Sequence, residues 1–156
     1  MKTLKLALRS ILLPVLVGLL AGLLISGKTD VYEVFIKPPF SLPGSLFGVA
    51  WTVLYLFMGA ALFLFRKNAP TETDLNEGNL LFYTQLLLNF LWPILFFRLQ
   101  LPLAAFFELI LLFVFIALTT AKFYQTNKIA GVLMLVYLLY VLYAGYLNFA
   151  IWYLNM

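Results

Sequence analysis

Five apolar runs, each about as long as a membrane-spanning helix, constrain this chain more than any other feature. A bilayer core about 30 Å thick requires roughly 20 mostly apolar residues in a helix. The runs cover residues 6–26, 45–65, 80–97, 102–121 and 129–152. The sequence therefore predicts an all-α membrane protein, a five-transmembrane-helix bundle in a single domain over residues 1–156. The mostly short connections favour an antiparallel bundle in which consecutive helices are neighbours.

Composition supports the membrane assignment and excludes several kinds of chemistry. Hydrophobic residues make up 65% of the chain and charged residues 10%, with a mean hydropathy of +1.04. The chain has no cysteine and no histidine, which excludes disulfides, thiol nucleophiles, imidazole bases and histidine-bound metal or haem. The net charge of +4 comes from basic residues scattered at the ends of apolar runs, so no nucleic-acid partner is predicted.

The first apolar run has two interpretations. Lys2, Lys5 and Arg9 precede it, and it ends near the small residues Ser26 and Gly27, as in a secretory signal peptide. The run is longer than the apolar core of such peptides. We therefore favour a first transmembrane helix and keep the signal peptide as the alternative.

Basic residues are distributed unequally between the two sides of the predicted bundle. The N-terminus and the second and fourth connections carry Lys2, Lys5, Arg9, Arg66, Lys67, Lys122 and Lys128, whereas the other side carries Lys28, Lys37 and Arg98. Because lysine and arginine accumulate on the cytoplasmic side, we expect the N-terminus in the cytoplasm and the C-terminus outside. The membrane is the cell membrane if the protein is bacterial.

Aromatic and amide side chains form a stripe along one face of three predicted helices. Such polar groups avoid lipid, so the stripes should face the bundle interior. There they either bind a flat apolar ligand or join the helices by hydrogen bonds. The stripes are Phe47, Trp51, Tyr55 and Met58; Gln85, Asn89, Trp92 and Phe96; and Tyr137, Tyr140, Ala144, Asn148, Ile151 and Asn155.

Glu108 is the one acidic residue well inside an apolar run. A carboxyl group at membrane depth is by default a candidate functional group. A neutral or hydrogen-bonded carboxyl that fixes helix packing is an equally good interpretation, since no basic residue lies at a comparable depth. A lone carboxyl also argues against hydrolysis, which usually requires a second positioned group.

Gly18 and Gly22 form a GxxxG pair in the first run. This pair favours close helix approach, either within one bundle or between two copies of the chain. A homodimer is therefore one of two predictions for this motif.

Four stretches of the chain carry motifs that together indicate a known family. They are "VYEVFIKPPFSLPGSLFGVAWTVLYLFMGAA", "QLLLNFLWPILFF", "ELILLFVFIALTTAKFY" and "AGVLMLVYLLYVLYAGYLNFAIWYLN". From Tyr32 to Asn155, in order and spacing, the chain resembles the TspO/MBR family of tryptophan-rich sensory proteins and mitochondrial translocator proteins, also called peripheral benzodiazepine receptors.

The resemblance implies a pocket inside the bundle, covered by the first loop. Its ligands are hydrophobic small molecules: porphyrins such as protoporphyrin and haem, benzodiazepine-type drugs and, in animal members, cholesterol. No obligatory cofactor and no metal site are expected. Taken with the stripes, the predicted ligand-binding residues are Tyr32, Pro43, Phe47, Trp51, Tyr55, Gln85, Asn89, Trp92, Phe96, Glu108, Tyr137, Tyr140, Ala144 and Asn148.

The chain departs from the family pattern at several positions. Val31 and Phe40 stand where the family has tryptophan, and Tyr140 replaces the tryptophan of the fifth helix. The family's light-dependent porphyrin breakdown uses pocket tryptophans, so this activity would here depend on Trp51 and Tyr140. The sterol motif of animal members needs a basic residue near the C-terminus, and none follows Lys128.

Three functions follow as alternatives. The first is a membrane receptor or carrier that binds tetrapyrroles, with a sensory or transport role. The second is an enzyme that photo-oxidises bound porphyrin. The third is a membrane scaffold whose interior polar groups only fix helix packing.

The segment from Lys37 to Gly44 contains three prolines, Pro38, Pro39 and Pro43. Proline restricts its own backbone and that of the preceding residue. We therefore expect a stiff cover over a pocket whose floor includes Trp51.

Overall fold

The structure, a computed structural model, describes residues 2–156 apart from the side chains of Lys2 and Ser45. Its elements are α1 (Lys2–Leu24), the short α2 (Val31–Val34), α3 (Gly44–Asn68), α4 (Glu72–Pro93) with a π-helical turn (Ile94–Arg98), α5 (Pro102–Thr126) and α6 (Lys128–Leu154). Five of these helices are long and apolar enough to cross a membrane. The predicted all-helical, multi-pass membrane protein is confirmed.

The five long helices form a ring whose order differs from their order in the chain. Helix α1 packs chiefly against α3, α3 against α6, α6 against α5 and α5 against α4, while α4 closes the ring on α1. The prediction that consecutive helices are neighbours is therefore wrong for the backbones of α3 and α4, which rarely come close and interact instead through long side chains. A short connection fixes two helices as antiparallel but does not prevent them from diverging along their length.

Helix α4 begins well before the apolar run that predicted it. Thr71 caps its N-terminus, because the Thr71 hydroxyl accepts a hydrogen bond of 3.0 Å from the Asp74 amide. Glu72 and Asp74 in the first turn add negative charge where the helix dipole favours it. The capped polar turns therefore extend the helix beyond the segment that hydropathy alone marks.

Pro93 alters the other end of α4. Proline has no amide hydrogen and cannot donate to the carbonyl four residues earlier. The helix widens directly afterwards into the π-helical turn, a rare conformation that is often found at functional sites. In this turn the successive side chains of Phe96 and Phe97 are both buried.

The end of the bundle opposite the first loop, here called the far end, is densely packed. The Phe123 ring lies parallel to those of Phe65 and Phe82, with ring centres 4.2 and 5.9 Å away. A Cβ atom on Gly78 would lie 2.1 Å from the Phe65 ring, so this ring requires glycine. Tight aromatic packing therefore joins α3, α4 and α5.

Polar groups complete the far end. The Lys122 ammonium lies 2.8 Å from the Asp74 carboxylate and 2.7 Å from that of Glu77. The Arg66 guanidinium donates to Asn79, Tyr83 and the buried Ser10 hydroxyl. These contacts tie α1, α3 and α5 to α4.

Candidate functional site

A cavity of about 770 Å³ lies at the other end of the bundle, here called the loop end because it carries residues 25–43. Helices α1, α3 and α4 form its walls, and Thr29–Glu33 form its roof. Pockets for drug-sized ligands range from about 300 to 1,000 Å³, so the cavity has ample space for such a molecule. Six predicted site residues line it: Tyr32, Phe47, Trp51, Tyr55, Asn89 and Trp92.

A hydrogen-bonded chain crosses the bottom of the cavity. The Tyr55 hydroxyl donates to Asn89 Oδ1 at 2.6 Å, and Asn89 Nδ2 donates to the Tyr137 hydroxyl at 2.8 Å. Tyr55 and Asn89 line the cavity, and Tyr137 lies behind them; Asn89 and Tyr137 are both buried. The chain links α3, α4 and α6, so the predicted stripes meet there and satisfy one another's polar groups.

Trp51 lies at the centre of an aromatic cluster beside the cavity. Its ring centre is 5.8 Å from Trp92, 5.9 Å from Tyr55 and 5.5 Å from Tyr140, to which it is nearly perpendicular at 83°. These separations are typical of favourable aromatic pairs. The cluster gives the cavity a rigid, flat and apolar surface.

Trp92 is held in place by an amide on α6. The Trp92 indole donates to Asn148 Oδ1 at 3.0 Å, and Asn148 Nδ2 donates to the Pro102 carbonyl at 2.6 Å. Asn148, Ala144 and Phe96 border a narrow gap behind Trp92 and Tyr32 instead of the main cavity. These three predicted site residues therefore support the cavity wall from behind.

The roof over the cavity centres on Tyr32. Burial raises the pKa of this phenol, so it stays protonated and donates to the Leu42 carbonyl at 3.1 Å. The ring packs 5.4 Å from Phe47, and the Lys37 ammonium lies 4.7 Å from the ring centre. Lys37 also pairs with Glu33 at 2.5 Å. The roof is thus fixed by aromatic and ionic contacts.

The proline segment, Lys37–Pro43, lies beside the cavity and not over it. The hydroxyls of Tyr143 and Tyr146 donate to the Phe40 and Pro39 carbonyls at 2.7 and 3.1 Å. Asn155 exchanges two hydrogen bonds of 3.0 Å with the backbone of Ile36. The prediction that the prolines cover the cavity is therefore wrong: the roof is formed by Thr29–Glu33, and the proline segment connects this roof to α6. Pro43 precedes the cavity-lining Gly44.

Three other predicted site residues lie away from the cavity lining. Gln85 is buried against Met58, and its side-chain carbonyl has no hydrogen-bond partner in the described part of the chain. Both Glu108 carboxyl oxygens are buried on α5 and have no hydrogen-bond partner among the described residues. Tyr140 contacts Trp51, but its buried hydroxyl is also unpaired. Their roles in binding remain predictions.

The contribution of α1 to the site was missed by the stripes. Val15, Gly18, Leu19 and Gly22 line the cavity, yet an almost uniformly apolar run gives no sign of which face is inward. The two glycines of the GxxxG pair are the sequence feature that marks the inward face of α1. A Cβ atom on Gly18 would lie 2.3 Å from the Tyr55 ring, which confirms close packing within the bundle at Gly18, whereas a Cβ on Gly22 would meet no described atom within 4 Å. Dimerisation stays a prediction.

The residues around this cavity fall within a region that matches a known family of membrane proteins. The profile of the TspO/MBR family matches residues 10–154. The chain belongs to the TspO/MBR family. It is 40% identical over 124 residues to the tryptophan-rich protein TspO of Chlorobaculum tepidum, an alignment that covers 80% of this chain and 78% of that protein.

Two further relatives extend this similarity to other kingdoms. The tryptophan-rich protein TspO of Archaeoglobus fulgidus is 44% identical over 119 residues, covering 76% of each chain. The human translocator protein is 32% identical over 117 residues, covering 74% of this chain and 69% of the human protein. The chain is therefore similar both to microbial tryptophan-rich proteins and to animal translocator proteins.

Proposed function

We propose that this TspO/MBR protein is a membrane receptor or carrier that binds tetrapyrroles such as protoporphyrin in the cavity beneath Tyr32. The observation that carries the proposal is a cavity of about 770 Å³ with Trp51 and Trp92 in its wall and the Tyr55–Asn89 pair at its bottom. Flat aromatic surfaces and a few fixed polar groups suit a planar macrocycle. Benzodiazepine-site drugs and sterol-like molecules are further candidate ligands for the same space.

The donors in the cavity favour a metal-free macrocycle over haem. The chain has no histidine, so tyrosine or methionine would have to bind the iron. The lining hydroxyls of Tyr32 and Tyr55 already donate to Leu42 and Asn89, and Met58 is fully buried behind the wall. We expect haem, if it binds, to be held by contacts with its ring.

A thermal-shift panel with protoporphyrin, haem, cholesterol and a benzodiazepine-site drug tests this proposal. A ligand that binds the folded state stabilises it by about 2.7 kcal/mol at 100 times its Kd. We expect protoporphyrin to raise the melting temperature, and the Trp51→Phe/Asn89→Ala double variant to lose most of the shift. Equal affinity in the two proteins would disprove the site, and no shift with any ligand would favour the scaffold function.

A second candidate function is light-dependent oxidation of bound porphyrin. It is favoured by the contact of Trp51 with Tyr140 and Trp92, because these side chains can pass an electron to the light-excited porphyrin, which then passes it to dissolved dioxygen, the oxidant of the reaction. Illumination of the porphyrin complex should then bleach the porphyrin absorbance, and Trp51→Phe should slow the bleaching strongly. Bleaching at the rate seen in empty detergent micelles would rule this function out.

We also propose that the far end of the bundle faces the cytoplasm. It carries most of the basic residues, including Arg66 and Lys67. Because the chain has no cysteine, single cysteines can be introduced without background. A membrane-impermeant maleimide should label Phe40→Cys in intact cells and should leave Lys67→Cys unlabelled; the opposite pattern would reverse the topology.

A further inference from the structure

Helices α1 and α3 touch along one half of their length and separate along the other. Near the far end, a Cβ atom on Gly59 would lie 2.6 Å from the Ile11 Cα, so the two backbones are in contact. Toward the loop end, an added Cβ on Gly22 of α1 or on Gly48 of α3 would have no atom of the described residues within 4 Å. Both glycines line the cavity. A slit therefore opens between the helices at the level of the cavity.

This slit connects the cavity with the lipid-facing surface. Leu19 and Leu23 of α1 are 60% and 72% exposed, and Leu56 of α3 is 46% exposed. All three also line the cavity. Exposed leucines within a membrane span face acyl chains. The same side chains thus border both the lipid and the cavity, and the apolar environment is continuous through the slit.

The first loop offers no comparable opening without breaking contacts. Its main chain is tied to α6 by Tyr143, Tyr146 and Asn155, and its roof is held by the Lys37–Glu33 pair. A ligand that arrives from water above Tyr32 would have to separate several of these groups. A ligand that arrives between α1 and α3 would separate none of them.

The polarity of the cavity changes along the slit. Thr29, Asp30 and Glu33 form its rim at the loop end, while Val15, Leu19 and Leu56 line it deeper in the span. An amphipathic molecule in the membrane has the same arrangement, with its polar groups at the interface and its apolar body among the acyl chains. Such a molecule can move sideways into the cavity while its polar edge stays at one depth.

We propose that ligands reach the cavity sideways from the bilayer, through the slit flanked by Gly22 and Gly48, and not through the first loop. The ligand class is planar apolar molecules that dissolve in the membrane and carry polar groups along one edge. The proposal rests on the proposed function in that it takes the cavity to be the binding site. Access through the slit can nevertheless be measured without any ligand.

The ligand-free test uses the tryptophans of the cavity. In a Trp152→Phe background, the two remaining tryptophans, Trp51 and Trp92, both line the cavity. Reconstitution in phosphatidylcholine brominated near the headgroup end of its acyl chains should quench their fluorescence. Adding Gly22→Leu and Gly48→Leu should remove most of this quenching. Gly145→Leu on α6 is the matched control, because Gly145 also has open space around it. This control should leave the quenching by brominated lipid unchanged.

The ligand test measures rates of protoporphyrin binding in proteoliposomes by stopped-flow quenching of tryptophan. A Gly22→Leu/Gly48→Leu protein should bind and release protoporphyrin at least about tenfold more slowly, as expected when side chains crowd a passage. Both rates should fall together, because a narrowed passage slows entry and exit alike, whereas a loss of binding contacts in the cavity would speed dissociation. Tyr143→Phe/Tyr146→Phe, which removes two loop tethers, should leave both rates unchanged.

The outcomes separate the two proposals. Unchanged lipid quenching in the double glycine variant, or faster binding in the tyrosine variant with no effect of the glycine variant, would overturn the slit. Failure of the wild-type protein to bind protoporphyrin would instead overturn the tetrapyrrole function. In that case, loss of lipid quenching in the double glycine variant would still support the slit.

Discussion

The two ends of this bundle use similar residues for opposite purposes. At the far end, Phe65, Phe82 and Phe123 stack so closely that Gly78 must lack a side chain. At the loop end, aromatic side chains such as Trp51 stand around a cavity of about 770 Å³. The comparison teaches that aromatic content alone does not mark a binding site. Whether the rings face one another or face empty space decides their role.

The largest expected difference between the two ends comes from removing a ring. Phe123→Ala should lower the free energy of unfolding by about 3 kcal/mol, because the substitution leaves a void between two buried rings. Phe47→Ala should lower it much less, since Phe47 already borders the cavity. Thermal or denaturant unfolding in detergent measures both values. Equal losses would mean that the cavity wall is packed as tightly as the far end.

Replacing a glycine by alanine should change the stability of the protein in opposite directions at the two ends. Gly78→Ala should destabilise the protein by about 2 kcal/mol, because the new Cβ would overlap the Phe65 ring. Gly48→Ala should stabilise it by about 0.5 kcal/mol, since alanine favours a helix over glycine and the site has space. A melting-temperature comparison of the pair suffices. A drop for Gly48→Ala would contradict the open slit.

Glu108 lies on α5 between the cavity wall and the far end and provides a further test. Its carboxyl oxygens are buried and find no partner among the residues that the structure describes. A buried polar group without a hydrogen bond lowers stability by about 1–3 kcal/mol. Glu108→Leu should therefore raise stability by about 1 kcal/mol, while protoporphyrin affinity stays the same. A stable variant that no longer binds protoporphyrin would instead give Glu108 a functional role.

The smallest expected effect concerns the charge at the cavity rim. Asp30 lines the cavity, and protoporphyrin carries two carboxylates. Asp30→Asn should therefore tighten protoporphyrin binding about two- to threefold, since exposed charges interact by less than about 1 kcal/mol. The dimethyl ester, which lacks these charges, serves as the control and should bind both proteins equally. Tighter binding of the ester as well would indicate an effect other than charge.

The interior of the bundle was predictable from sequence because polar groups avoid lipid. Helical spacing predicts one inward face for Gln85, Asn89, Trp92 and Phe96, and all four are buried. The order of the helices around the ring was not predictable, because connection lengths say little about lateral neighbours. The inward face of α1 was not predictable either, because leucine is equally suited to a lipid-facing surface and to an apolar cavity wall.

The details of the site depended on contacts between distant residues. Sequence spacing placed Tyr55, Asn89 and Tyr137 on inward faces, but their hydrogen-bonded chain arises where three helices cross. The proline segment was expected above the cavity, yet hydroxyls on α6 hold it to one side. Such pairings are separated by dozens of residues and leave no local pattern.

The hydrogen bonds that tie the first loop to α6 and Asn155 all involve the main chain of the loop. The carbonyl oxygens of Ile36, Pro39 and Phe40 accept hydrogen bonds from Asn155, Tyr146 and Tyr143, and the Ile36 amide donates to Asn155 Oδ1. Any residue supplies a carbonyl, including proline. The loop can thus change its amino acids, as at Phe40, without losing its anchorage. For protein engineering, the sequence of the first loop can therefore be exchanged to change ligand specificity while the helix bundle stays the same.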